Sequence, residues 1–187
     1  MAEIAGLTLI TPSSVSASGS ATGSASASGK VTFTNVSSTD YVTISGIFSP
    51  THDNYLIVSI SEFATGSGAD QLAAELTVSG TASTTGYVEQ YLAASSTSVS
   101  GRRDSPNTGF VMADATNAGP SGYHFYLYGP ALAQPTAGRS IGCLALSGAY
   151  IFDHAGTHSA STAYDGIRLR TSSDVISGTL CVYGLSQ

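Results

Sequence analysis

Asp153-His-Ala-Gly-Thr-His158 is the stretch of this 187-residue chain whose residue types come closest to chemistry. Two imidazoles four residues apart, with a carboxylate beside the first, form a metal-binding set when a helix puts both rings on one face. Gly156 and the strand-like residues around it argue against a helix. The stretch reads instead as a polar hairpin loop, in which that spacing aligns nothing. His52-Asp-Asn54 and His124 would join such a site only through the tertiary fold. Ser159 follows His158, so Ser159, His158 and Asp153 supply the residue types of a hydrolytic nucleophile, its base and an orienting carboxylate. The chain has no Gly-x-Ser-x-Gly elbow, and a sequence this rich in serine sets one beside many histidines by chance. None of the twelve acidic residues falls in an aromatic-lined cluster of the glycosidase kind. No catalytic residue, metal ligand or cofactor is assigned on these grounds.

Other motifs fail on detail. The segment from Gly19 to Lys30 looks like a phosphate-binding loop, yet Gly23 and Gly29 are separated by five residues rather than four. Lys30 is followed by Val31, where a magnesium-binding hydroxyl would be needed. Asn35-Val-Ser37 is a formal glycosylation acceptor that reads as a turn at a strand end. The most charged point is Gly101-Arg-Arg-Asp-Ser-Pro106, inside a long polar loop spanning 93–107, and long loops in compact domains are commonly functional or mobile. Arg102, Arg103 and Asp104, with Tyr87 and Tyr91, are the candidate interaction residues. Tyr87, Tyr91, Tyr123, Tyr126 and Tyr128 offer rings that either stack on sugar or fill core and subunit contacts, and the second use is the commoner.

The elements that must position these residues read as strands. Ile167 and Leu169 alternate with Arg168 and Arg170, the two-residue period of a strand with one face buried. Thr171-Ser-Ser-Asp174 supplies turn chemistry, and Thr179 to Leu185 is β-branched, aromatic and apolar, so the chain ends inside its own sheet. Further strands are predicted at Gly6–Ile10, from Lys30, over Tyr41–Phe48 as its neighbour, and at Tyr55–Ile60, which is apolar on both faces and therefore central. Leu72–Val78, Tyr87–Leu92, a short Phe110–Ala113 and Tyr123–Tyr128 follow. Tyr123–Tyr128 carries aromatics to both faces, as in a sheet covered on both sides. Arg139–Leu146 and Ala149–Phe152 pair around Ser147-Gly148. Ten to twelve short strands without a convincing helix indicate an all-β, single-domain antiparallel β-sandwich, jelly-roll-like in its uneven loops. Residues 1–29 form an N-terminal strand and a Ser/Ala/Gly-rich extended arm, flexible or ordered by a neighbouring subunit, and 30–187 form the sandwich.

Composition narrows the function. Charged residues are 10% of the chain against a usual quarter, and Ser, Thr, Gly and Ala take their place. Six basic and twelve acidic residues give a net charge of -6, with no basic stripe, which excludes nucleic acid as a natural partner. Lys30 is the only lysine, so a surface this weakly charged is expected to lie against copies of itself or a larger assembly. Glu3 stands where a secretory signal would have a base, and no apolar run is long enough to span a bilayer, so a soluble product made in the cytoplasm, without membrane insertion, is expected. Cys143 and Cys181 read as two reduced core thiols unless their strands are neighbours.

Ile176-Ser-Gly-Thr-Leu-Cys-Val-Tyr-Gly-Leu185 resembles the carboxy-terminal strand of small structural proteins of tailed bacteriophages. Gly6-Leu-Thr-Leu-Ile10, Asp53-Asn-Tyr-Leu-Ile-Val58 and Tyr164-Asp-Gly-Ile-Arg-Leu169 are similar to that group in order and spacing. The resemblance implies a non-enzymatic virion protein with a β-sandwich fold, commonly a homotrimer, found as head decoration or in tail fibres. Its partners would be itself and other virion proteins such as the major capsid protein. On that footing the expected role is a decoration or cement protein on the capsid exterior. A tail-fibre or receptor-binding module contacting host surface glycan is the alternative, and a hydrolase of that glycan the third.

Overall fold

A computed structural model describes residues 6–65, 69–95, 97–116, 119–144 and 150–185, with side chains left aside at 63–65, 69, 104–106, 115 and 116. The elements are β1 (Leu7–Ile10), β2 (Ser14–Ala17), β3 (Thr22–Ala25), β4 (Val31–Val36), β5 (Val42–Ser45), β6 (Asn54–Thr65), β7 (Ala69–Val78) and β8 (Thr81–Ala82). They continue with β9 (Tyr87–Ser95), β10 (Ser98–Asn107), β11 (Phe110–Thr116), β12 (Ser121–Tyr128), β13 (Thr136–Leu144), β14 (Tyr150–His158), β15 (Gly166–Thr171) and β16 (Val175–Leu185). There is no helix among the described residues.

All pairings are antiparallel. A ten-stranded sheet runs β10-β9-β14-β13-β12-β6-β16-β4-β3, with β1 added to β16, and a six-stranded sheet runs β11-β7-β15-β5-β2, with β8 added to β7. The two form the antiparallel β-sandwich expected from the strand spacing. Its core comes from alternate residues: Phe33, Tyr55, Ile57, Phe125, Leu127, Leu180 and Val182 on the larger sheet face Ile44, Leu72, Leu76, Ile167 and Leu169 on the smaller. The carboxy-terminal strands divide between the sheets. β15 lies between β7 and β5, while β16 pairs with β6 along one edge and with β4 and β1 end to end along the other.

Several expectations change. β4 and β5 are not neighbours; the turn at 37–41 carries the chain from one sheet to the other. The long loop at 93–107 is a hairpin, because β9 and β10 pair from Ser98 opposite Ser95 to Asn107 opposite Tyr87, and small, β-compatible residues let a polar run extend. The turn expected at Ser147-Gly148 lies outside the described residues. β6 is central, but only one of its faces is covered: Tyr55 and Ile57 are buried while Ile60 is exposed. The same holds for β12, where Tyr123 and Phe125 point into the core and Tyr128 to the outside. Cys143 and Cys181 also sit on that outer side rather than in the core. Three strand spacings, about 14 Å, separate β13 from β16, so they form no disulfide.

The Ser/Ala/Gly-rich segment is extended, but its partners belong to the same chain. β2 pairs with β5 in the smaller sheet and β3 with β4 in the larger, so no neighbouring subunit is needed to order it. Ser18 N donates to Tyr41 O at 3.0 Å and Ser20 N to Asp40 Oδ2 at 3.1 Å. Small residues are required because the sheets converge here: a Cβ on Gly23 would stand 2.7 Å from Val15 Cγ1 and 2.8 Å from Val42 Cγ1. A composition that looks too weak to fix itself is therefore the one that fits between two sheets.

Asp70 fastens the crossing from β15 to β16. Its carboxylate accepts from Ser172 Oγ, Ser173 N (2.9 Å) and Asp174 N (2.7 Å). Burial alone would raise its pKa, but these donors outweigh that and hold it below the usual carboxylate value. Asp70→Ala is expected to lower unfolding free energy by about 2 kcal/mol, since the turn's N–H groups lose their acceptor. A depressed folded pKa also means that Asp70's contribution is complete above the unfolded value of 3.8 and is lost as pH falls below it. Urea unfolding of the two proteins as a function of pH checks both statements.

Candidate functional site

The structure moves Asp153–His158 from a loop onto β14, with a consequence for every residue in it. On a strand, positions four apart share a face, so His154 and His158 both point inward and are 2% and 0% exposed, while Asp153 points outward. The Ser-His-Asp reading fails on that geometry: Asp153 is on the opposite face from His158 and is held by Arg139 through contacts of 3.0 and 2.6 Å. His158 is a core residue. Its Nε2 lies 2.9 Å from Ser83 Oγ, its ring packs edge-on against Tyr87 at 4.3 Å, and burial lowers its pKa. His52 lies beside Tyr55, and His124 is on the outer face of β12. No group of three His, Cys, Asp or Glu among the described residues is placed to hold a metal ion.

The candidate interaction residues are dispersed. Tyr87 is 1% exposed; its hydroxyl accepts from Leu76 N at 2.9 Å and donates to Ser83 O at 3.1 Å, which bridges the two sheets. Tyr91 is half-buried, with its hydroxyl against that of Tyr150. Arg102 stands over the Tyr91 ring at 5.1 Å, and Arg103, one residue on, projects to the other face of β10. Asp104 contributes backbone pairing to Glu89, and its side chain lies outside the described residues.

What the fold assembles instead is a polar cluster between the sheets. His154 on β14 sits between two carboxylates, with Nδ1 2.8 Å from Glu89 Oε1 on β9 and Nε2 3.5 Å from Asp114 Oδ1 on β11. Asn107 Nδ2 donates to Glu89 Oε2 (3.1 Å), and Gln71 Nε2 (2.9 Å) and Tyr150 Oη (3.3 Å) donate to Asp114. Both imidazole nitrogens thus face carboxylates at ion-pair distance, an ion triad rather than an open ligand set. Burial opposes the charge on His154, but Asp114 and Glu89 outweigh it and push the pKa up to about 9. Burial likewise works to raise the pKa of Asp114, and His154 together with Gln71 and Tyr150 lowers it. Because β11 belongs to the smaller sheet and β9 and β14 to the larger, the triad ties the sheets together. Nothing in the sequence signals this, since Glu89, Asp114 and His154 lie on three strands from separate parts of the chain.

The outer faces of the sheets differ in kind. On the smaller one, Arg168 and Arg170 converge on Glu75, which is fully buried beneath them, and Tyr41 stacks on Arg168 at 4.7 Å. On the larger one the register aligns an apolar row, Val99, Ala94, Ile151 and Cys143 across β10, β9, β14 and β13, beside a mixed row in which Leu92, Ile141 and Val58 alternate with Asp153 and His124. Val99 is 77% exposed, Leu92 and Ile151 58% and Ile60 56%, a contiguous apolar face of the kind that marks a contact surface. A separate cleft of about 340 Å³ is lined by Asp53, Asn54, Tyr128, Gln134 and Pro135.

A folded pKa for His154 above its unfolded value of 6.5 makes its stabilisation complete below that pH and lost as pH rises towards about 9. Urea midpoints are expected to fall across that interval. His154→Gln is expected to cost about 3 kcal/mol near neutral pH, by leaving Glu89 and Asp114 buried without a cation, and to flatten the alkaline decline. A decline of equal slope in the variant would assign it to other groups.

No family model matches the chain, and no curated protein does. A solved structure of a protein of unknown function from Shewanella oneidensis MR-1 aligns over 94% of this chain and 79% of its own, at 8% identity and a TM-score of 0.23, a likeness that carries no argument about fold or function.

Proposed function

We propose that this protein is a non-enzymatic structural subunit of a tailed-bacteriophage virion, a decoration or cement protein on the capsid exterior. It works by burying sheet surface against neighbouring subunits, its own copies and the major capsid protein. The observation that carries this reading is the apolar outer face of the ten-stranded sheet, from Val99 to Ile60, on a protein whose other surfaces are hydroxyl-rich or ion-paired. A chain with only 10% charged residues also packs in many copies with little accumulated repulsion. The phage resemblance of Ile176–Leu185 supplies the context, and that segment is β16, which receives three other strands. Particles lacking the protein are expected to release their genome at lower temperature than complete particles, and adding the purified chain back is expected to restore the difference. Unchanged heat stability would refute the cement role.

The glycan-binding alternative is favoured by one feature, the cleft beside Tyr128, and not by the segment first expected to serve it. Tyr87 and Tyr91 turn inward, whereas Tyr128 is 43% exposed with the Asn54 and Gln134 amides and the Asp53 carboxylate around it. Such a site would use the ring as a platform and the polar groups for sugar hydroxyls. Binding of the purified chain to host cells, abolished by Tyr128→Ala, is the expected outcome on this reading. Equal binding by the variant would dismiss it.

A further inference from the structure

We infer that the outer face of the ten-stranded sheet is occupied by a second copy of this chain, packed face to face about a two-fold axis. The inference rests on the proposed structural role and names the partner that this surface takes first. Three observations lead to it. The face exposes large apolar side chains at Ile60, Leu92, Val99, Ile141 and Ile151, although the core face of the same strands is already covered by the smaller sheet. Seven strands from β10 to β16 carry it, and at the usual strand and residue spacings it measures about 29 by 20 Å, so two copies would bury roughly 1,200 Å². That reaches the lower end of the range for stable pairs.

The third observation concerns charge. Arg139 and Asp153 project from this face on adjacent strands, β13 and β14, and already neutralise each other. Burying them leaves no net charge in the interface. They are diagonal neighbours, Arg139 opposite Ala155 and Asp153 opposite Ile141, so a two-fold axis lying in the interface, through the centre of the pair and perpendicular to the line joining them, sets each Arg139 beside the Asp153 of the other copy. With His124 beside Ile141 as its other titratable group, a surface whose one acid and one permanent base lie side by side among apolar side chains is complementary to itself, as an isologous contact requires. Arg103 on edge strand β10 and Glu62 near the end of β6 remain at the margin, in the polar rim. The homotrimer that the phage resemblance implies would have to be built through a different surface.

Sedimentation of the purified full chain is expected to show a reversible, concentration-dependent species at twice the 18.9 kDa of one chain. Ile141→Asp is expected to weaken it at least ~10-fold, while Val78→Asp, an exposed apolar site on the smaller sheet, should leave it unchanged. Circular dichroism checks that each variant retains the sheet. Should Ile141→Asp not fold, the charge pair provides the second test. Arg139→Glu alone and Asp153→Lys alone each make the face self-repelling and should each dimerise more weakly. Mixed in equal amounts, the two should form a heterodimer. Only an intermolecular contact predicts recovery on mixing, because repulsion within each chain is unchanged by it. A monomer at every concentration, or an oligomer indifferent to Ile141→Asp and to the mixing test, would overturn the inference. Neither result depends on a virion, so it is separable from the outcome of the particle-heating experiment.

Discussion

The fold depends on one constraint of extended chain, that successive side chains leave opposite faces of a sheet. Two antiparallel sheets can each present one apolar face to the other, and burial of those rows is the main favourable term. Phe33, Tyr55, Ile57 and Phe125 from the larger sheet and Ile44, Leu72, Leu76 and Ile167 from the smaller are fully or almost fully buried on that account. The period that makes the core also decides what the core cannot use. Each inward residue on β6, β12, β13 and β14 has an outward neighbour, and the division of ten strands against six leaves those neighbours without a third layer.

Polar groups inside the sandwich occur where strands of different sheets must be joined. Asp70 gathers the N–H groups of the turn between β15 and β16, Tyr87 ties β9 to β7 through Leu76 N, and the Glu89–His154–Asp114 triad links β9 and β14 to β11. Each is a buried polar group with a partner, as a low-dielectric interior demands. The triad has the residue types of an acid–base site, but both imidazole nitrogens face carboxylates across the sheet interface. Such an arrangement fixes the packing of two layers, and its charge state rather than a substrate is what changes with pH.

Contrast between the two outer faces links the architecture to the proposed role. Arg168 and Arg170, paired to the Glu75 carboxylate buried beneath them, and Tyr41 give the smaller sheet a polar surface. Isoleucine, leucine and valine project from the larger sheet at positions where a solitary soluble protein carries charge. Exposed apolar side chains are therefore not spread evenly: Ile60, Leu92, Val99, Ile141 and Ile151 share one face, which gives the inference of subunit contact a location.

By itself the sequence determined the class of fold and the identity of most strands, because Ile167-Arg-Leu-Arg170, Tyr55–Ile60 and Tyr123–Tyr128 carry a local two-residue period that needs no partner to be legible. It also determined the weak charge of the surface. Only the tertiary structure decided which strands share a sheet, since pairing joins residues as distant as Leu7 and Leu185, and period alone is silent on neighbours. For the same reason it placed the Ser/Ala/Gly segment between two sheets, and turned Asp153–His158 from a loop into a strand with both rings inside. It also built the His154 triad from three separate strands. Side-chain alternation is written into each segment, whereas the partner that covers each face is fixed by contacts between segments far apart in the chain.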